Sequence, residues 1–212
     1  RETGGGKEIV PRFIEVSRVS PMTFRSVDIS VVMDMMIHDL DVVLMLMGGV
    51  EPDEVQAAGV PVITEHEDIC NARLTWRKQS CVANITCSRL ALKTERVTRI
   101  TGENAYVKID YGNKTGTIIR KIANEGQMIE LRNLLRQGAD LSGLKWHDLV
   151  AIEELQVDEG EPIVEEIRAF LHAVRTNQWP EIDATAGLAN IRTAERIIEA
   201  CKSHAGSSTA RL

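Results

Sequence analysis

Residues 9–20 alternate apolar and polar positions through Phe13, Ile14-Glu15-Val16 and Arg18, a two-residue period that predicts a strand ending in a loop at Pro21. The texture then changes. Residues 31–47, VVMDMMIHDLDVVLMLM, contain neither Gly nor Pro and are apolar on nearly every side, which predicts a buried helix stopped by Gly48-Gly49. Beyond it come EVQAAGVPV, DICNARLTW, SCVANITCSRL, RVTRITG, NAYVKIDY and KTGTIIRKI, short segments rich in β-branched residues. Turn-like clusters such as Arg77-Lys78-Gln79, Gly102-Glu103-Asn104 and Gly112-Asn113 separate them, predicting six successive strands in an antiparallel meander.

Within the strand around Cys81, the odd positions Cys81, Ala83, Ile85 and Cys87 are small or apolar, while Val82, Asn84, Thr86 and Ser88 are mostly polar. The first face is expected to pack on helices. The second is either a wet outer surface or a subunit interface. A short helix is predicted over Met128 to Gln137 and a last strand over Leu149 to Val157. Pro162 then opens a helix with Ile163, Ile167, Phe170, Leu171 and Val174 on one stripe, and Asp183 caps a second with Leu188, Ile191, Ile198 and Cys201. Strand, helix, many strands and two helices make an α+β arrangement: a largely antiparallel open sheet with helices on one face. Residues 1–7 read as a linker, 8–205 as one α+β domain and 206–212 as a disordered tail.

Composition narrows the function classes. At 212 residues, 43% hydrophobic and 26% charged, the chain can bury a core. A formal charge of −6 without clustered Lys or Arg argues against a nucleic-acid partner. The apolar segment is too short and too charged for a membrane span, and the N-terminus has no apolar signal core. Cys70, Cys81, Cys87 and Cys201 form no CxxC pair and are expected to be reduced, hydrophobe-like thiols, consistent with a cytoplasmic location. No G-x-G-x-x-G follows a strand, so the chain carries no dinucleotide fingerprint, and no P-loop or nucleophile elbow appears. Its Gly-rich start without an initiator Met is expected of a fragment of a longer protein.

The apolar helix nevertheless carries ionisable groups. At about 100° per residue, Asp34, His38 and Asp41 fall within roughly 60° of one another, whereas Asp39 points elsewhere and is expected to make a surface or packing contact. Unpaired charges on a buried helix cost several kcal/mol each, so the three must pair with one another or line a solvated cavity. Three readings stay open: His38 held structurally between two carboxylates, His38 and a carboxylate doing acid/base chemistry, or a metal site using Asp34, His38 and Asp41. His66, His147, His172 and His204 look like scattered surface or loop residues.

PRFIEVSRVSP, the following Arg and Asp, and VVMDMMIHDLDVVLML together resemble the second domain of the Gfo/Idh/MocA oxidoreductases (glucose-fructose oxidoreductase, inositol dehydrogenase, rhizopine catabolism). ARLTW, CVANITCSR, the Tyr106 to Asp110 strand and EPIVEEIRAFLHAVRTNQWPEIDATAGLANIRTAERII extend the likeness over residues 8 to 203. It implies a substrate-binding and oligomerisation domain of an NAD- or NADP-dependent dehydrogenase of sugars, nucleotide-linked sugars or inositols. The dinucleotide belongs mainly to an N-terminal Rossmann domain, absent here together with the Lys of an E-K-P motif, so the fragment alone is expected to be inactive. By motif, His38 is the proton acceptor or donor at the substrate hydroxyl, and Asp34 its partner or a substrate ligand.

Asp41, Arg18, Arg25 and Arg89 become candidate substrate contacts, with Lys93 and Arg96 also able to steady a phosphate or carboxylate; a solvated surface role is the alternative for each cation. No metal is implied. Where the family often shows Gly, this chain has Met36 and Asp28-Ile29-Ser30, and the MIHDLD variant looks like a branch handling nucleotide-linked amino sugars. A homodimer or homotetramer joined through the sheet face is the implied assembly. Two other classes remain: a non-catalytic assembly module of the same fold, and a metal-dependent hydrolase or lyase built on the Asp34/His38/Asp41 stripe.

Overall fold

The computed structural model describes residues 9–141, 143–155, 160–180 and 182–209. Eight strands form one open sheet: β1 (Pro11–Val19), β2 (Glu54–Val60), β3 (Ile69–Trp76), β4 (Cys81–Ser88), β5 (Glu95–Gly102), β6 (Ala105–Asp110), β7 (Thr115–Lys121) and β8 (Val150–Leu155). The helices are α1 (Ile37–Leu46), preceded by a π-helical turn at Val32–Met36, then α2 (Glu125–Arg136), α3 (Pro162–Thr176) and α4 (Ala184–Thr209). The expected α+β class is what the chain adopts.

One expectation needs correcting. The strands run in the order β2-β3-β4-β1-β5-β6-β7-β8, so the six later strands are not a continuous meander. β1 splits them, parallel to β4 and antiparallel to β5, with Phe13 opposite both Val82 and Thr101. The helix after β1 crosses the sheet and lets a later strand return in the same direction, as any parallel pairing requires. Residues 89–94 then carry the chain past the end of β1, where Ala91 N–H donates to the Ser20 carbonyl at 3.2 Å. A turn-like sequence there looks the same whether it closes a hairpin or steps over a strand.

The strand alternation resolves the sheet's two faces as expected. Cys81, Ala83, Ile85 and Cys87 on β4, Cys70, Ala72, Leu74 and Trp76 on β3, and Ile14 and Val16 on β1 are all buried. Against this face lie Met36, Leu40, Val43 and Leu44 from the first helix and Ala194, Ile197 and Cys201 from α4. Gly48 and Gly49, at φ of +72° and +77°, end α1 as predicted, and the Gly49 N–H returns to the Leu44 carbonyl at 2.8 Å. Gly59 lets α4 approach β2, because a Cβ there would meet the Cys201 Sγ at 3.0 Å and the Glu67 side chain at 2.5 Å.

All four thiols are free and buried. The Cys70 and Cys201 sulfurs touch at 3.6 Å; that contact, together with burial, pushes the Cys70 thiol far above its ordinary value, and burial does the same to Cys87. Burial also raises Cys81, whereas the contact with Cys70 lowers Cys201; all four pack in the interior as small hydrophobes. Asp183 caps α4 by accepting from the Thr185 and Ala186 N–H groups. That helix runs on to Thr209, past residue 205 where the sequence suggests the domain's end. The predicted last strand is observed over β8, its final positions 156–157 falling outside the described residues. On α3 the stripe of Ile163, Ile167, Phe170, Leu171 and Val174 exists but is exposed.

A buried charge fastens the loop before β3. Asp68, fully buried, accepts from the N–H groups of Val62, Ile63 and Thr64 and from the Thr64 hydroxyl at 2.6–2.9 Å. Burial disfavours its charge, but these donors outweigh that cost and hold the carboxyl at about 2, below its usual 3.8. A depressed acid stabilises the fold fully above its unfolded value and loses that contribution as pH falls from about 4 toward about 2. The shift corresponds to about 2 kcal/mol. Wild type should therefore exceed Asp68→Asn in stability at neutral pH, with the gap narrowing by about 2 kcal/mol on acidification in urea melts. A gap independent of pH would remove this account.

Candidate functional site

The helix that carries the ionisable stripe begins at Ser30, which is buried. Its hydroxyl accepts from the Val32 N–H at 3.2 Å, and its carbonyl takes the N–H groups of Met33 and Asp34. The next turn is π-helical: the Ile37 N–H reaches back five residues to the Val32 carbonyl. Such a turn accommodates one extra residue and is frequent at functional positions. Asp34 lies within it.

Asp34 and His38 line one open cavity of about 740 Å³ together with Arg18, Ser20, Pro21, Thr23, Met35, Thr94 and Arg96. Asp34 is half-buried and His38 is exposed, so neither is a sealed ion pair, and the purely structural reading of His38 loses its premise. Among the described residues no hydrogen bond joins His38 to Asp34 or Asp41. Two protonatable groups one helical turn apart on a cavity wall can bind a hydroxyl and exchange its proton.

Asp41 is not part of this cluster. It lines a separate cavity of about 580 Å³ with Glu165, Glu166, Ala169, Phe170, Pro180 and Ile182. The three-residue metal reading therefore lacks convergence, and among the described residues no group of three His, Cys, Asp or Glu side chains is arranged to hold a metal.

The arginines divide likewise. Arg18 lines the cavity and donates through Nε and Nη2 to the two Asp39 oxygens at 2.5 and 2.9 Å. Two of its five N–H donors are committed there, and the others have no hydrogen-bond partner among the described residues. Asp39, only 4% exposed, thus makes the packing contact anticipated for it. Arg89 lies in the interior at 3% exposure, donating to the Ser26 and Ile29 carbonyls at 3.0 and 2.8 Å, with Asp68 3.5 Å away. It tethers the loop before the helix and stays out of the cavity. Arg25 and Lys93 are exposed and do not line the cavity.

That loop is conformationally costly. Phe24 and Ser26 have φ of 54° and 52°, a region non-glycine residues seldom occupy, and Phe24 is largely exposed beside the cavity residue Thr23. Sequence reasoning missed Ser20, Thr23 and Thr94, whose hydroxyl-bearing side chains line the cavity but follow no motif. It also missed Asn190 on α4, whose Nδ2 donates to the Ile37 carbonyl at 3.0 Å and so holds the junction between the π turn and α1. Only the fold brings α4 to that junction.

Comparison with known proteins places the chain. A family model described as oxidoreductase family, C-terminal alpha/beta domain, matches residues 27–207. The chain belongs to the Gfo/Idh/MocA oxidoreductase family, as a copy of that C-terminal domain. It is 32% identical over 187 residues to a UDP-N-acetylglucosamine 3-dehydrogenase from Acidithiobacillus ferrooxidans, covering 88% of this chain and 52% of that protein. A solved structure of the dehydrogenase of that name from the same organism superposes with a TM-score of 0.76 at 29% identity, covering 93% of this chain and 56% of the other. A levoglucosan dehydrogenase in complex with NADH and levoglucosan shares the fold at a TM-score of 0.67 and 11% identity, covering 91% of this chain and 57% of that one. The chain thus spans about half the length of these relatives.

Asp39→Ala should destabilise the protein by about 3 kcal/mol, because it strands the largely buried Arg18 guanidinium. His38→Ala, at an exposed position, should cost less than about 0.5 kcal/mol. Denaturant midpoints measure both, and equal losses would contradict the division between a buried, ion-paired residue and an exposed one.

Proposed function

We propose that this chain is the substrate-binding domain of a nucleotide-sugar dehydrogenase in which His38 moves the hydroxyl proton. The observation that carries the reading is the open cavity wall on which Asp34 and His38 stand side by side, on the helix whose sequence is similar to the family's motif. The family and the 32% identical UDP-sugar dehydrogenase support the choice of substrate class. His38 takes the proton of the reacting hydroxyl in oxidation and returns it in reduction. Asp34 receives a neighbouring substrate hydroxyl or the second imidazole N–H, and Arg18 contributes its remaining donors.

The dinucleotide fits this chain only at an edge. The residues present contain no Gly-rich phosphate loop, yet His38 is exposed at the mouth of the cavity, where a second domain can present a nicotinamide. NAD or NADP, held mainly by the other half of the enzyme, supplies the hydride chemistry when bound. The 212 residues by themselves are expected not to turn over. In the complete protein, His38→Ala should lower NAD(P)-linked oxidation of a UDP-sugar by about 10²- to 10⁴-fold while dinucleotide binding, followed by fluorescence, is retained. Undiminished turnover would remove His38 from the mechanism.

We also assign the uncovered sheet face to subunit contact. There Asn71 donates to the Thr86 hydroxyl at 2.8 Å and Arg73 to Asn84 at 3.1 Å, and the polar rows around them continue through Glu15 and Arg99. A broad face of this kind, half polar and without a covering layer among the described residues, suits association of two like copies. Light scattering should find a dimer or larger that Arg73→Glu shifts toward monomer. A strictly monomeric wild type would end this assignment.

A further inference from the structure

The helix-covered face of β1 reads Ile14, Val16, Arg18, and in register on β5 it reads Ile100, Thr98, Arg96. The first two rows are buried core; the third is a pair of guanidinium-bearing residues directly opposite one another at the cavity. Like charges facing across a strand pair repel. Asp39 neutralises Arg18, but Arg96 has no ion pair or side-chain hydrogen bond among the described residues. Other strand arginines do have partners: Arg12 with Glu103, Arg99 with Glu15, Arg120 with Glu153. The strand itself is fixed here, since the Arg96 carbonyl accepts from the Tyr111 N–H at 2.9 Å.

We propose that Arg96 is the phosphate-binding residue of the cleft, gripping the diphosphate of a nucleotide-linked sugar whose reacting hydroxyl lies at Asp34 and His38. The proposal rests on the dehydrogenase reading above and names the residue that makes it selective for phosphorylated over free sugars. An uncommitted guanidinium presents the forked donors that phosphate oxygens accept, and Ser20, Thr23 and Thr94 add hydroxyl-bearing side chains to the same walls. A cavity of about 740 Å³ lies in the range that encloses an extended ligand.

Calorimetric titration of the complete protein with UDP, and separately with uridine, tests this. UDP should bind wild type, and Arg96→Ala should weaken it by about tenfold or more, the scale of a charge-assisted hydrogen bond. Arg96→Lys should recover part of the affinity, uridine should respond little to either change, and Lys108→Ala, which removes a positive charge elsewhere, should leave UDP affinity unaltered. Equal UDP affinities in wild type and Arg96→Ala, or no UDP binding by wild type, would overturn the assignment. The two readings separate in the complete protein. UDP held through Arg96 without oxidation of any sugar defeats the dehydrogenase reading alone, and UDP-sugar turnover indifferent to Arg96→Ala defeats only the phosphate site.

Discussion

The bidentate ion pair between Arg18 and Asp39 stands where the apolar layer between β1 and the first helix gives way to the cleft. Everything that reaches the candidate site is referenced to it. On the strand side it terminates the column of Ile14 and Val16; on the helix side Asp39 follows His38 directly, so the pair fixes the azimuth at which His38 leaves the helix. Both partners are largely desolvated, so neither can rotate away without leaving the other's charge poorly solvated. An exposed side chain at the cavity edge thus follows directly on a buried, ion-paired one.

The π turn works with that pair. At α-helical spacing Asp34, His38 and Asp41 share one stripe; the π turn lies between Asp34 and His38, while His38 and Asp41 both belong to α1 and keep that spacing. Asp34 and His38 line one cavity across that turn, and Asp41 lines another with residues of α3 and the loop after it. Ser30 anchors the turn's first N–H groups and Asn190 ties down its exit, so the irregularity is supported at both ends.

These particulars show what a sequence reveals. The β4 alternation, the Gly48-Gly49 stop and the Asp183 cap were legible because each depends on residues within a few positions of one another. The motif containing Asp34 and His38 was visible for the same reason. The placement of β1 between β4 and β5, the interior role of Arg89 and the separation of Asp41 were not, since each depends on a partner far along the chain. Arg89 looked like any other arginine after a strand; only the carbonyls of Ser26 and Ile29 converging on it make it a tether. The α3 stripe was found correctly, but periodicity cannot say what a stripe faces.

Lodging β1 in the middle of the sheet also has a kinetic side. Its partners lie around Val82 and Thr101, so both of its edges stay unpaired until most of the strand-forming sequence has emerged and collapsed. Hairpins such as β3-β4 and β5-β6 can close locally and early. The wall of the cleft, which needs Arg18 beside both Asp39 and Arg96, is then completed only when the earliest strand is captured between two later ones. For a chain made from its N-terminus, the site is among the last features to take shape.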